Sequence, residues 1–205
     1  QPIGKFSIFD EMDIPGGLHG MKYHFIKENM PNKLFQENSK KYDFIYWGCD
    51  KRKLIDNIES GDERHLIFKQ IKKKTEINSL FIGKYASIKA DKRIDTMYNI
   101  LSDLTDAKTT LCFNWLDPTA TTSRYHESIA CGIFPFVWKN YDCNNTLVAD
   151  TWQRIYSVEE LYGKIHDTEK FINQIQQHYI ENVLKPRSWY YEKFENRMNE
   201  IINDI

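Results

Sequence analysis

The sequence predicts an α/β fold, a Rossmann-like parallel sheet flanked by helices, and three observations carry that expectation. Short apolar and aromatic runs, such as Tyr42 to Trp47 (YDFIYW) and Ile133 to Trp138 (IFPFVW), have the length and make-up of buried strands. Between them stand stretches whose apolar residues recur at helical spacing among charges. The two kinds of segment alternate along the chain, and that alternation builds βα units and a parallel sheet.

Residues 1–40 read as an irregular connector, with a turn at Ile14-Pro15-Gly16-Gly17 and breaks at Gly20 and Pro31. The first strand, Tyr42 to Trp47, ends at Gly48. Asp62 to Lys73 is predicted helical, with Leu66, Ile67, Phe68 and Ile71 set among its charges. Ser79 to Ile82 is a second strand that Gly83 stops, and Arg93 to Leu104 repeats the helical pattern. Thr109 to Asn114 is the third strand. Thr121 to Cys131 is a helix closed by Gly132, a residue suited to the left-handed position beyond a helix end. In the fourth strand, Ile133 to Trp138, Pro135 cannot donate to a ladder and marks an end or an edge. Ser157 starts the next helix, with Glu160 three residues on as a capping box. Thr168 to Leu184 is helical, and Pro186 opens a terminal helix with Tyr190, Phe194, Met198, Ile201 and Ile205 on one face.

Composition sets limits on function. A hydrophobic share of 41% with 14% aromatics supplies a sizeable core. The net charge of −1 gives no global pull toward nucleic acid or an anionic membrane, so any polyanion contact needs a local patch. The run Lys72-Lys73-Lys74 ends a helix, where cations suit the dipole, and is expected to be a solvated end. Cys49, Cys112, Cys131 and Cys143 lack any CxxC spacing and lie in or beside apolar runs. They are expected as buried free thiols in a reducing, cytoplasmic setting. No apolar run approaches the ~20 residues of a membrane span, and no membrane partner is expected. No DxD-type motif has supporting context, so no metal is expected for binding.

In open parallel sheets, ligands sit at the carboxyl ends of the strands. That rule points to the loop after Trp47, the loop after Asn114 and the helix start near Thr122. The last is the most informative. Thr121, Thr122 and Ser123 are all N-cap candidates, and Arg124 and Glu127 follow, three apart and therefore on one helix face. A helix start offers unpaired N–H groups and partial positive charge, which suit a phosphate. Arg124 adds a two-pronged grip on a diphosphate, and Glu127, one turn deeper, can accept from both hydroxyls of a ribose. Helix physics alone favours a plainer reading, a capped helix with a local Arg–Glu pair. His126 is turned roughly 100° from each neighbour and is expected to pack or cap.

The whole string SRYHESIACGIFPFV shifts that balance. It resembles the donor-site signature of GT-B glycosyltransferases, an Arg, a Glu three residues later, small residues, Gly, then an apolar strand containing Pro. The resemblance extends to one branch of that family, the bacteriophage DNA β-glucosyltransferases, from about Tyr42 to the C-terminus. Ile45-Tyr46-Trp47-Gly48 leading to Lys51 and Arg52 is similar to the first donor-domain strand of that branch, and Phe81-Ile82-Gly83 to its second. Tyr141-Asp142, the segment Arg154 to Leu161, and Lys185 to Trp189 follow in the same order.

The resemblance implies a role for each matching position. Arg124 would bind the diphosphate and Glu127 the ribose, with Ser123 at the helix start. Gly48 would let a ligand approach the backbone closely. Lys51, with Arg52 beside it, stands where the family has an Arg on the diphosphate, and the exchange loses the fork geometry. A solvated charge run explains Lys51 to Lys53 equally well. Asp142 stands where donor-sugar hydroxyls can be contacted. Where the family has an aromatic residue near the phosphates, this chain has Leu116 beside Trp115.

The expected organisation is the donor-binding half of a GT-B fold: a 1–40 connector, a 41–184 nucleotide-sugar-binding domain and a 185–205 helix packing toward a partner domain. The expected function is transfer of a sugar, glucose by resemblance, from a UDP-sugar to an acceptor hydroxyl, with hydroxymethylated bases of phage DNA as the acceptor the resemblance suggests. The setting would then be the host cytoplasm. The family keeps its catalytic base, an Asp, in an amino-terminal domain that 40 residues cannot form, and no catalytic residue is identified. Acceptor contacts would come from such a domain, upstream of Gln1 or in another chain. A glycan- or lipid-directed enzyme of the same fold, and a non-catalytic nucleotide-binding module, are the alternatives.

Overall fold

The computed structural model describes residues 40–49, 63–85, 87–93, 97–114, 122–145, 148, 151–179, 181–182, 196 and 199. The connector before Lys40, Lys51 and Arg52, Trp115 and Leu116, and the expected helix from Pro186 apart from the helical positions Asn196 and Asn199 lie outside the described residues.

Five parallel strands form one sheet in the order β2-β1-β3-β4-β5. They are β1 (Tyr42–Cys49), β2 (Ser79–Lys84), β3 (Ala107–Cys112), β4 (Phe134–Trp138) and β5 (Arg154–Ile155). The helices α1 (Arg64–Lys73), α2 (Met97–Thr105), α3 (Ser123–Ala130), α4 (Val158–Lys164) and α5 (Glu169–Tyr179) complete an α/β, Rossmann-like fold. β1 pairs with β2 on one side and β3 on the other, so the strand order turns at β1. Such a switch point opens a crevice at the carboxyl ends of the two diverging strands.

Alternation along β1 divides the core. Phe44 and Tyr46 join Phe68 and Ile71 of α1, whereas Ile45 and Trp47 join Ile100 and Leu104 of α2. Because successive strand residues point to opposite faces, α1 and α2 cover opposite sides of the sheet. Tyr46, Phe68, Phe81, Tyr85 and Phe113 form a continuous aromatic cluster, with ring centroids 4.4 to 6.2 Å apart.

Local signals appear where the sequence places them. At the end of α3, Ile133 N–H donates to Ser128 O at 2.9 Å and Gly132 N–H to Ile129 O at 3.2 Å. With Gly132 at φ 67°, this is a Schellman cap. Ser157 Oγ accepts from Glu160 N–H at 3.1 Å. The return bond of the box goes from Tyr156 N–H to Glu160 Oε2 at 2.8 Å, one residue earlier than the simple pattern. Pro135 pairs with β3 ahead of the point where β5 joins at Val137, so the strand is still an edge there.

Several expectations are corrected. Gly83 does not stop the second strand, which runs to Lys84 with Gly83 opposite Gly48. A Cβ on Gly83 would lie 1.9 Å from the Gly48 carbonyl oxygen, so the glycine is there for close backbone approach. The third strand is Ala107–Cys112, two residues earlier than expected, because its pairing with β1 starts at Tyr42–Ala107. Arg93 is not helical, and the described helix of this stretch is α2, Met97–Thr105. The preceding Lys92 is held beside the β2 edge, where Gly83 N–H donates to Lys92 O at 2.8 Å and Phe81 N–H to Asp91 Oδ2 at 2.9 Å. Leu66 is 51% exposed, since the buried stripe of α1 is Ile67, Phe68 and Ile71. Cys112 and Cys131 are buried free thiols as expected, but Cys143 is exposed in the turn after β4.

Candidate functional site

The carboxyl end of β1 and the first two turns of α3 meet at the switch point. The Arg124 guanidinium lies across the end of β1, 4.0 Å from the Tyr46 ring centroid and 5.2 Å from that of Trp47. Its Nη2 donates to the Trp47 carbonyl oxygen. One turn along, Glu127 Oε2 accepts from Trp47 Nε1 at 3.0 Å. Trp47 therefore holds both signature side chains, the Arg by its main chain and the Glu by its indole. The Arg124 Nε is buried and has no hydrogen-bond partner among the described residues.

Gly48 makes this approach possible. It has φ 128°, a conformation other residues rarely adopt, and a Cβ there would come within 2.8 Å of Arg124 Nη2. The strand end is pinned from the other side by Tyr85, whose hydroxyl lies 3.0 Å from the carbonyl oxygens of both Tyr46 and Ile82.

The start of α3 is held by a distant residue. Thr122 is the N-cap, extended at φ −120° and ψ 153°, but its hydroxyl makes no capping bond to the first turn. Its N–H donates instead to Tyr141 Oη at 2.8 Å. Burial pushes the Tyr141 phenol well above its ordinary pKa, so it stays a neutral hydroxyl. The Thr122 side chain gives no cap and the Tyr125 N–H goes to the Thr122 carbonyl oxygen at 3.1 Å, so the first-turn N–H groups suited to an anion are those of Ser123 and Arg124. Ser123 opens the helix.

The other predicted residues have protein partners of their own. Asp142 is fully buried at φ 47°, and its Oδ2 accepts from Val148 N–H at 3.0 Å. Arg154 clamps the same loop by donating to the carbonyl oxygens of Lys139 and Tyr141 at 3.1 and 2.6 Å. The structure thus gives Asp142 an organising role in its own loop. His126 packs, as expected from its position: it is buried, with Nδ1 hydrogen-bonded to the Tyr179 hydroxyl of α5. Lys72 at the end of α1 pairs with Asp91 at 2.5 Å. Burial pushes the Cys112 thiol up to about 12, so this group between β3 and α3 is no nucleophile at neutral pH. Among the described residues, no group of three or more His, Cys, Asp or Glu side chains could hold a metal ion. No helix among them is long and apolar enough to cross a membrane.

Sequence reasoning missed Trp47 and Tyr141 as parts of this site. Trp47 reads as one more apolar residue of a buried strand, and its partners lie 77 and 80 residues away. Tyr141 carries only a weak signal, its place just beyond the fourth strand.

No protein-family model matches the sequence, and no curated protein matches it significantly. Solved structures do match. The DNA-modifying enzyme β-glucosyltransferase, described with and without its substrate uridine diphosphoglucose, aligns at 16% identity with a TM-score of 0.60. The alignment covers 87% of this chain and 57% of that one. A mutant of the T4 phage enzyme in complex with UDP-glucose aligns at 17% identity and TM-score 0.57, covering 86% and 53%. A further T4 phage β-glucosyltransferase structure gives 17% and 0.55, covering 86% and 56%. The chain therefore spans a little over half the length of these structures and shares with the phage glucosyltransferases a Rossmann-like fold.

Proposed function

We propose that this chain binds the nucleotide-sugar of a glycosyltransferase of the GT-B type, with a UDP-sugar, UDP-glucose foremost, as donor. The observation that carries the reading is the convergence of Arg124 and Glu127 on Trp47 at the carboxyl end of β1, beside the start of α3, where the Thr122 side chain makes no capping bond. The likeness to structures described with UDP-glucose supports it. Arg124 and the α3 N–H groups take the diphosphate, Glu127 accepts from the ribose hydroxyls, and Gly48 leaves the strand end open to the ligand. Ser123 belongs to the same helix start, and Lys51 and Arg52 supply further charge for the diphosphate. Asp142 serves through its loop rather than by direct contact with the sugar.

In the complete enzyme, an acceptor oxygen attacks the anomeric carbon as the bond to the nucleoside diphosphate breaks. The diphosphate leaves with the bonding electrons, stabilised by Arg124 and the helix start. The acceptor proton passes to a base on another domain, which also holds the acceptor, a hydroxymethylated base of phage DNA in this reading. In this reading residues 41–184 serve as the donor domain.

Calorimetric titration with UDP, UDP-glucose, GDP and ADP tests the donor site. UDP and UDP-glucose are expected to bind best. Glu127→Ala is expected to weaken UDP binding by roughly 10- to 100-fold, the effect of losing hydrogen bonds to a charged acceptor. An unchanged affinity in a folded variant would sink the assignment.

A further inference from the structure

We propose that Trp47 is a positioning residue whose indole N–H aims the Glu127 carboxylate at the ribose, and so sets the preference for ribo- over 2′-deoxyribonucleoside diphosphates. The proposal rests on the nucleotide-sugar reading of Arg124 and Glu127. A glutamate on the second turn of a helix has three rotatable bonds, and an acceptor that must meet two vicinal hydroxyls gains from being fixed beforehand. Trp47 supplies that constraint. Trp47 is only 4% exposed and packs in a cluster with Ile45, Ile82, Ile100 and Leu104, so its N–H has a fixed direction. That N–H meets Glu127 Oε2 at 3.0 Å. A carboxylate offers about four acceptor sites, so one indole N–H orients the group without filling it.

The two duties of Trp47 are chemically separable. Arg124 is held by the Trp47 carbonyl oxygen, a main-chain atom that survives any substitution of the side chain. The indole ring also lies 5.2 Å from the Arg124 guanidinium, but its N–H bonds Glu127. Removing the N–H should therefore leave the diphosphate grip intact and disturb recognition of the sugar hydroxyls alone. That asymmetry distinguishes positioning from general packing.

The experiment is calorimetric titration of the chain with UDP and with 2′-deoxy-UDP, in three forms: native, Trp47→Phe, and Trp47 replaced by benzothienylalanine. The last keeps the shape of the indole and lacks only its donor, so it covers the case in which the Phe variant does not fold. The native chain is expected to prefer UDP by roughly 10- to 100-fold. In the variants UDP should weaken more than 2′-deoxy-UDP, which keeps only one of the two hydroxyls that Glu127 meets, so the preference should shrink toward none. A retained preference would overturn the proposal, as would equal weakening of both nucleotides, which marks a packing role. Tighter UDP binding in the variants would show that the indole competes with the ribose, and would overturn it too. A native chain that binds UDP without discriminating sinks this inference and spares the donor reading, whereas a native chain that binds neither nucleotide sinks both.

Discussion

Gly83→Ala is expected to lower the stability of the protein by about 3 to 5 kcal/mol, combining backbone strain with an overlap that cannot relax. The added methyl would sit 1.9 Å from the Gly48 carbonyl oxygen and 2.9 Å from its carbonyl carbon, both main-chain atoms of the neighbouring strand. The residue also has φ 138°, where a side chain is strained whatever the space around it. Against a total stability of ~5–15 kcal/mol this is a large fraction, and the melting temperature should fall by roughly 10 °C. A melt within a degree or two of native would show that the β1–β2 ends can spread. Gly48→Ala has a different expected outcome. Its φ of 128° carries similar strain, but its new methyl meets the Arg124 guanidinium at 2.8 Å, the mobile tip of a side chain. The overlap is relieved by moving Arg124, so Gly48→Ala should lose about 1 to 3 kcal/mol of stability and impair UDP binding as well.

Arg124→Ala is expected to weaken UDP binding by roughly 100-fold, the loss of two charge-assisted hydrogen bonds to a diphosphate. Uridine, which lacks the phosphates, should be bound equally well by variant and native protein when measured by competition. Glu127→Ala would weaken both if, as proposed, Glu127 binds the ribose. Arg124→Lys should recover only part of the loss, since an ammonium keeps the charge and not the fork. Equal weakening of UDP and uridine by Arg124→Ala would show that the residue only supports the fold. That result is conceivable on structural grounds, because Arg124 bonds the Trp47 carbonyl oxygen and stacks on Tyr46. Thermal melts of the same variants separate the two effects.

What the sequence determined by itself was whatever short-range rules encode. Strand–helix alternation gave the α/β class and the parallel sheet that the structure has. Gly132 and Ser157 marked their helix boundaries, because capping is settled by hydrogen bonds within a few residues. The spacing of Arg124 and Glu127 placed them on one face of α3, since helix geometry fixes which residues share a face.

The tertiary structure decided what depends on contacts across the sheet. Gly83 reads as a stop in one dimension and proves to be a close approach between neighbouring strands, because only the pairing with β1 brings Gly48 opposite it. Asp142 follows the signature strand in sequence, yet its carboxylate turns back onto Val148 once Arg154 has closed the loop. Leu66 has the apolar character of its neighbours and faces out, because the sheet covers only one stripe of α1. Trp47 gains its place in the site from two side chains 77 and 80 residues away. No periodicity or cap encodes a contact of that separation. It exists only because β1 and β3 are neighbours, which carries α3 to the end of β1.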